Sequence, residues 1–308
     1  MQIHTDFHNE SSIQNPVVTI CTYDGVHIAH QQIIERVNQI AKEANGESVL
    51  ITFDPHPRQV LDPSGGPLEL INTLEERKAL LERFHIDHLV LIEFTIAFSE
   101  LTAIDFVNEI LVKGLNPYKL VIGYDHHFGK DRQGSIDFLK SMQKDLPFGV
   151  EEIPKQMIDD AVISSTEIRN FILTGDIESA EKYLGHEFTL TGIVVKGRQI
   201  GQALGFPTAN MQIIDKNKII PGNGAYAVKV SHNTQNYIGM LNIGVRPTLN
   251  EGDKSIEVHI IDFNQDIYQD KISVTFVKRI RDELKFDNMD DLKAQLIKDK
   301  EVAESLLK

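Results

Sequence analysis

Two histidines three residues apart, His27 and His30, lie in TYDGVHIAH (22–30), between a β-branched run and a helical pattern. A helix beginning near Val26 puts both on one face at its N-terminus. There the dipole and open amides favour an anion, and two imidazoles can donate to phosphate oxygens. The plainer alternative is a surface helix that happens to start with histidines. Asp24 and Gly25, together with the strand–turn–helix setting, count against it. A second polar cluster, GYDHHFGKDRQGS (123–135), also follows a strand. Its glycines, Lys130 and Arg132 suit a flexible phosphate loop, or an ordinary solvated one. In ISSTEIRNF (163–171), Ser164, Ser165 and Thr166 open a helix with Arg169 one turn in. A plain N-cap is the competing reading there.

Different chemistry is available further on. KGRQIGQALGFPTANMQ (196–212) is glycine-rich, and its Thr208 and Asn210 offer a hydroxyl and an amide oxygen. Mg²⁺ keeps several waters and takes few protein oxygens, so those two suffice. The alternative is a barrel loop turning at Pro207. In SIEVHIIDF (255–263), alternation sends Ile256, Val258 and Ile260 to one side and Glu257 and His259 to the other. If Glu257 faces a pocket rather than solvent, it can take a proton from a hydroxyl attacking a γ-phosphate.

The elements that must position these residues fall into two patterns. Up to about residue 185, buried strand runs at 16–22, 48–53, 88–94 and 119–123 alternate with amphipathic helices. One helix carries Ile33, Ile34, Val37, Ile40 and Ala41. Another carries Leu74, Leu80, Leu81 and Phe84. A third runs from Ala103 to Val112 and stops at Gly114. This alternation predicts a Rossmann-like parallel sheet with ligands at the carboxyl ends of its strands. From Thr189, short runs at 190–195, 224–230, 237–243, 255–261 and 271–277 predict a small antiparallel barrel. The tail after Asp287 reads as a helix with Leu292, Leu296 and Ala303 on one side. The boundary is expected near Gly185–Glu187, giving domains 1–185 and 186–308.

The composition narrows the partners. A formal charge of −14 argues against a large nucleic-acid surface, though not against a nucleotide. No apolar run is long enough for a membrane span, and one cysteine, Cys21, fits a reducing compartment. A cytoplasmic monomer or weak homo-oligomer acting on small molecules is expected.

The first-half blocks, with TFDPHPR (52–58), resemble in order and context the adenylyltransferase module of bacterial FAD synthetases: GTFDGVHxGH, FxPHPR, VGxDxxFGxxRxG, ISSTxIR. GFPTAN, GAYAV, NIGVRPT and EVHIIDF resemble the riboflavin kinase barrel. The chain thus resembles the bacterial bifunctional riboflavin kinase and FAD synthetase family over nearly its whole length. The resemblance implies two reactions, in which ATP and riboflavin give FMN, and ATP and FMN give FAD with release of pyrophosphate. It implies that His27 and His30 stabilise the triphosphate, with Asp24, Gly25 and Asp125 in the nucleotide site. Ser164, Thr166 and Arg169 would hold the leaving phosphates. Thr208 and Asn210, with Gly205, would bind Mg·ATP, Glu257 would be the base, and Arg281 of RDELKF would lie on the flavin side.

The chain departs from the family pattern in places. Cys21 and Ala29 stand where glycine is usual, and Tyr23 where phenylalanine is more common. A methyl at Ala29 would crowd the nucleotide and a thiol at Cys21 would narrow the strand end. Gln202 and Gln269 replace a usual arginine and glycine. Two further readings follow: a kinase with a weakened or inactive adenylyltransferase domain, and a non-catalytic flavin-binding protein.

Overall fold

The computed structural model describes residues 1–5, 12–62, 68–124, 126–154, 164–197, 200–245 and 254–308. The chain divides into two compact units, Met1–Ile163 and Ser164–Lys308.

In the first unit, six strands form one parallel sheet: β1 (Gln2–His4), β2 (Val17–Ile20), β3 (Ser48–Asp54), β4 (His88–Glu93), β5 (Lys119–Gly123) and β6 (Gly149–Ile153). Their spatial order is β1-β4-β3-β2-β5-β6. The order reverses between β2 and β5, which makes the carboxyl ends of those two strands the expected ligand crevice. Strands buried on both faces read as continuous apolar runs, and β2 is buried at every position. Alternation then sorts them. Val18, Ile20, Val49, Ile51, Leu120 and Ile122 pack on one face of the sheet. Val17 and Val121 turn to the other, against Ile33, Val37 and Ile40 of α1 (Ile28–Glu43).

The helices α2 (Pro57–Leu61), α3 (Leu74–Arg83), α4 (Ile96–Ser99), α5 (Ala103–Asp105) and α6 (Ile136–Met142) complete this unit. A π-helical stretch, Phe106–Leu115, continues α5. The sequence predicted that this helix stops at Gly114. It instead buries Gly114 and ends at Asn116, which takes the left-handed cap conformation, φ 44°. Asparagine tolerates that conformation nearly as well as glycine.

The second unit is a closed antiparallel barrel with the order β10-β11-β8-β7-β12-β9. Its strands are β7 (Thr189–Val195), β8 (Ala209–Ile213), β9 (Gly224–His232), β10 (Gln235–Val245), β11 (Lys254–Ile260) and β12 (Lys271–Arg281). Five were legible in the sequence. The sixth, β8, was not, because it begins inside PTAN, two residues after Pro207. Before the barrel come α7 (Ser165–Thr174) and α8 (Ile177–Leu184), and within it α9 (Ile200–Ala203). Because α7 packs on α8 and α8 on β12, these helices fall in the barrel unit. A boundary at 185–187 would instead assign them to the sheet domain. The closing helix α10 (Met289–Leu307) lays Leu296, Ala303 and Leu307 against Phe206, Ala227 and Met240. Gln269 takes φ 69°, a left-handed conformation that explains why glycine suits this position.

Candidate active sites

In the first unit the chain leaves β2 through a tight turn with positive φ at Tyr23 (52°), Gly25 (89°) and Val26 (39°). Two non-glycine residues in that region are costly and are held by their surroundings. The buried Tyr23 hydroxyl lies 2.9 Å from Thr19 Oγ1, and Val26 N–H donates to the Tyr23 carbonyl at 3.2 Å. The turn ends at His27, the N-cap of α1, one residue beyond the predicted start. Three residues apart on the first turn, His27 and His30 stack with centroids 3.7 Å apart and planes 17° from parallel. Both are buried. Burial first, and His27 second, hold His30 well below the usual imidazole range, so it is neutral near pH 7. Its Nε2 lies 3.6 Å from the Cys21 thiol, while its buried Nδ1 has no hydrogen-bond partner.

Asp24 has a structural task here. Its Oδ1 accepts from the amides of Ile71 (2.9 Å) and Asn72 (3.2 Å), tying that segment to the turn. Arg77, buried on α3, reaches the ends of two strands. Its Nη1 donates to the Thr22 carbonyl at 2.6 Å and its Nη2 to that of Phe53 at 3.2 Å. Sequence reasoning missed Arg77, because EERK reads as a solvated helix face. It also missed an aromatic patch after β3 and β4, where half-buried Phe53, Phe94 and Phe98 have ring centroids 5.6–5.9 Å apart. Phe94 and Phe98 are only four residues apart, and Phe53 joins them because β3 lies beside β4.

The loop after β5 sits on the other side of the crevice. Lys130 is ion-paired with Glu100, so its charge is partly committed inside the protein. Asp125 lies outside the described residues. Burial, helped by His127 and Arg132, pushes His126 down to about 4.

The ISSTEIR segment belongs to the second unit. Ser164 is the N-cap of α7 and accepts from the Glu167 amide at 3.2 Å. Thr166 is exposed and Arg169 half-buried on the same helix.

In the barrel, Glu257 on β11 pairs directly with Asn210 on β8 and with Asn242 on β10. Directly opposed residues share a face, with Cβ atoms about 4.5–5.5 Å apart. The predicted alternation holds: Glu257 and His259 line a cavity of about 260 Å³ together with Thr208, Asn242 and Arg281. A second cavity, about 350 Å³, is lined by Gln202, Pro207, Thr208, Val258 and Ile260. Thr208 borders both. His259 Nδ1 is 2.8 Å from the Pro207 carbonyl, which can only accept, so Nδ1 carries the proton. That bond fastens the Pro207–Thr208 segment to β11. Burial outweighs this bond and lowers the pKa of His259.

Two glycines shape the loop. Gly205 (φ 87°) ends α9: its amide bonds Gln202 and the Phe206 amide bonds Gly201, a Schellman arrangement. Its evident task is therefore to stop the helix. At Gly197 a Cβ would lie 2.0 Å from Asn210 Nδ2, so the absent side chain leaves the space the amide occupies. A hydroxyl and an amide oxygen beside one carboxylate are hard oxygen donors that fit Mg²⁺ shared with nucleotide phosphates. Among the described residues no group of three or more His, Cys, Asp or Glu is placed to hold a metal alone.

Comparison with known proteins agrees with both halves. The family profile for FAD synthetase matches residues 9–167, and that for riboflavin kinase matches 184–307. A bifunctional riboflavin kinase/FMN adenylyltransferase of Buchnera aphidicola (Schizaphis graminum) is 37% identical, over 98% of this chain and 97% of its own. Its Bacillus subtilis counterpart is 37% identical over 93% and 91%. A solved structure described as a macrolide-efflux protein from Streptococcus pneumoniae superposes with TM-score 0.87 at 32% identity, covering 99% of each chain. Among the described residues of the present chain, no helix is long and apolar enough to cross a membrane.

Proposed function

Since the chain belongs to the bifunctional riboflavin kinase/FMN adenylyltransferase family, we propose how its residues divide the two reactions. The enzyme is an ATP-dependent transferase that phosphorylates riboflavin to FMN and adenylylates FMN to FAD. The FAD synthetase profile spans the first site with Cys21 and Ala29 in place, so the kinase-only and non-catalytic readings are not favoured.

For the kinase, the carrying observation is that Thr208 borders both of these cavities, while Glu257 lines only the one with Arg281. ATP occupies the cavity beside Gln202, and riboflavin the cavity beside Arg281. Glu257 takes the proton from the terminal ribityl hydroxyl as its oxygen attacks the γ-phosphorus, the bond to the β–γ bridging oxygen breaks and ADP leaves. Thr208 and Asn210 would hold Mg²⁺, which neutralises charge on the transferring phosphoryl group.

For adenylyl transfer, His27 and His30 donate to the α- and β-phosphates as an FMN phosphate oxygen displaces pyrophosphate. No covalent nucleophile is required, because positioning and charge stabilisation carry such reactions. A neutral His30 can donate from only one nitrogen, and its Nδ1 is the one without a partner. The Phe53–Phe94–Phe98 patch takes the flavin ring. Gly25 supports the turn, and Asp125, Ser164, Thr166 and Arg169 keep the phosphate roles their motifs imply. A cytoplasmic location, and a monomer or weak homo-oligomer without nucleic-acid or membrane partners, complete the proposal.

The test feeds purified protein Mg·ATP with riboflavin in one tube and FMN in another, with chromatographic readout. FMN from the first and FAD from the second are expected. Both should vanish with chelator and return with added Mg²⁺. Kinase turnover that persists in chelator would remove Mg²⁺ from the scheme.

A further inference from the structure

The closing helix carries an irregularity. Leu292, Leu296 and Ala303 lie at helical spacing on its inward side, and Asp299 falls on the same stripe. Asp299 is only 2% exposed. A carboxylate buried inside an apolar stripe needs a specific partner. Arg281, at the end of β12, supplies it: Nε lies 3.1 and 3.0 Å from the two carboxylate oxygens and Nη2 is 2.8 Å from Oδ2. Gln295 Nε2 donates to Oδ1 at 2.8 Å, one turn earlier on the same helix.

A guanidinium has five N–H donors. Nε and one N–H of Nη2 go to Asp299, and one N–H of Nη1 goes to the Asp282 carbonyl at 3.0 Å. Those bonds leave one N–H on each terminal nitrogen. Arg281 and Asp299 both line the cavity that holds Glu257. The pyrimidine-dione end of a flavin pairs each carbonyl with an accepting ring nitrogen, C2=O with N1 and C4=O with N5, and a fixed planar fork suits such a pair better than a mobile cation. Phe206, Met240, Leu284 and Phe286 line the same cavity and suit the apolar end of the ring.

We propose that Asp299 is a positioning residue for riboflavin phosphorylation, fixing the Arg281 guanidinium so that its remaining donors meet the polar edge of the flavin. The inference rests on the reading of Arg281 as a flavin-side residue. A long arginine side chain left untethered samples many rotamers, and binding must then order it. The loss should therefore fall on riboflavin affinity, with phosphoryl transfer spared.

The experiment uses the full chain with Asp299→Asn, Asp299→Glu, Arg281→Met and the Asn/Met double variant. It records riboflavin KM, ATP KM, kcat and melting temperature. Asp299→Asn should raise riboflavin KM about tenfold while kcat and ATP KM stay within about threefold. Asp299→Glu should recover part of that loss, and the double variant should be no worse than Arg281→Met. Losses that multiply in the double variant, or a fall in kcat alone, would overturn the inference. If Arg281→Met leaves riboflavin KM unchanged, the flavin-side reading itself fails. If Arg281→Met raises KM and Asp299→Asn does not, only the positioning role fails. Should Asp299→Asn fold poorly, Gln295→Met removes one bond to the carboxylate and should raise riboflavin KM about two- to fivefold at unchanged melting temperature. No rise in that variant would count against the proposal.

Discussion

Glu257 stands directly opposite Asn210 across the antiparallel pair β11–β8. Residues 47 positions apart in sequence are thereby held on one barrel face at neighbouring-strand distance, by backbone pairing rather than by loop order. The proposed base and amide ligand, fixed in this way, would need little reorganisation when substrates arrive.

Replacing Glu257 with glutamine keeps the shape and removes the base. FMN formation should fall by about 10²–10⁴-fold. FMN adenylylation by the same preparation should be unchanged, which separate FMN and FAD assays will check. Equal loss of both would show that the activities are coupled or that the base lies elsewhere.

Replacing His27 or His30 with alanine should do the reverse. Loss of one donor to developing phosphate charge costs about 10²–10³-fold in FAD formation. Riboflavin phosphorylation serves as the internal control. A small effect from His30→Ala would mean that its contact with Cys21, rather than with phosphate, defines its place.

His259→Phe removes the bond to the Pro207 carbonyl while keeping a ring against Phe206. One net hydrogen bond of about 1 kcal/mol corresponds to about a fivefold rise in the KM for Mg·ATP. Steady-state kinetics at saturating riboflavin measures it. An effect confined to riboflavin KM would move the ATP site away from Pro207–Thr208.

Ala29 is buried in the first turn of α1, where the related pattern has glycine. Ala29→Gly should raise kcat/KM for FMN adenylylation and lower stability by up to about 1 kcal/mol, the helix cost of glycine. A loss of activity would show that the site has adapted to the methyl group.

His30 and His126 are buried neutral, so the unfolded chain binds protons that the native chain does not as pH falls below about 6.5. Their contribution to stability is full above that pH. It is lost on acidification toward the depressed folded values, about 4 for His126. Each costs at most about 1.4 kcal/mol per pH unit in that window. Calorimetric melting between pH 7 and pH 5 should show the decline, and His126→Phe should flatten it.

The motifs made the chemistry legible because each depends on local spacing. His27 and His30 are three apart, and Glu257 and His259 alternate on one strand. What stayed hidden was created by strand order. Arg77 joins the ends of β2 and β3 from a helix that reads as solvated, and Phe53 reaches the Phe94–Phe98 pair because β3 neighbours β4. β8 is not legible because Pro207 and Gly205 mark a turn so strongly that the pattern beginning at Ala209 reads as loop. Asp24 also has a task the motif did not reveal, because its Oδ1 accepts from the backbone amides of residues 71 and 72.

Closure of the barrel bears on how copies of the chain could meet. A sheet closed on itself leaves no unpaired strand for a neighbour to extend, whereas an open sheet has two such borders. In this molecule they are β1, three residues long, and β6. Glu151 of β6 is ion-paired with Arg36 and Lys119, and Glu152 with Lys140. Short length at one border and paired charges at the other discourage strand-to-strand polymerisation, so a crowded solution of this enzyme should resist fibre formation through its sheets.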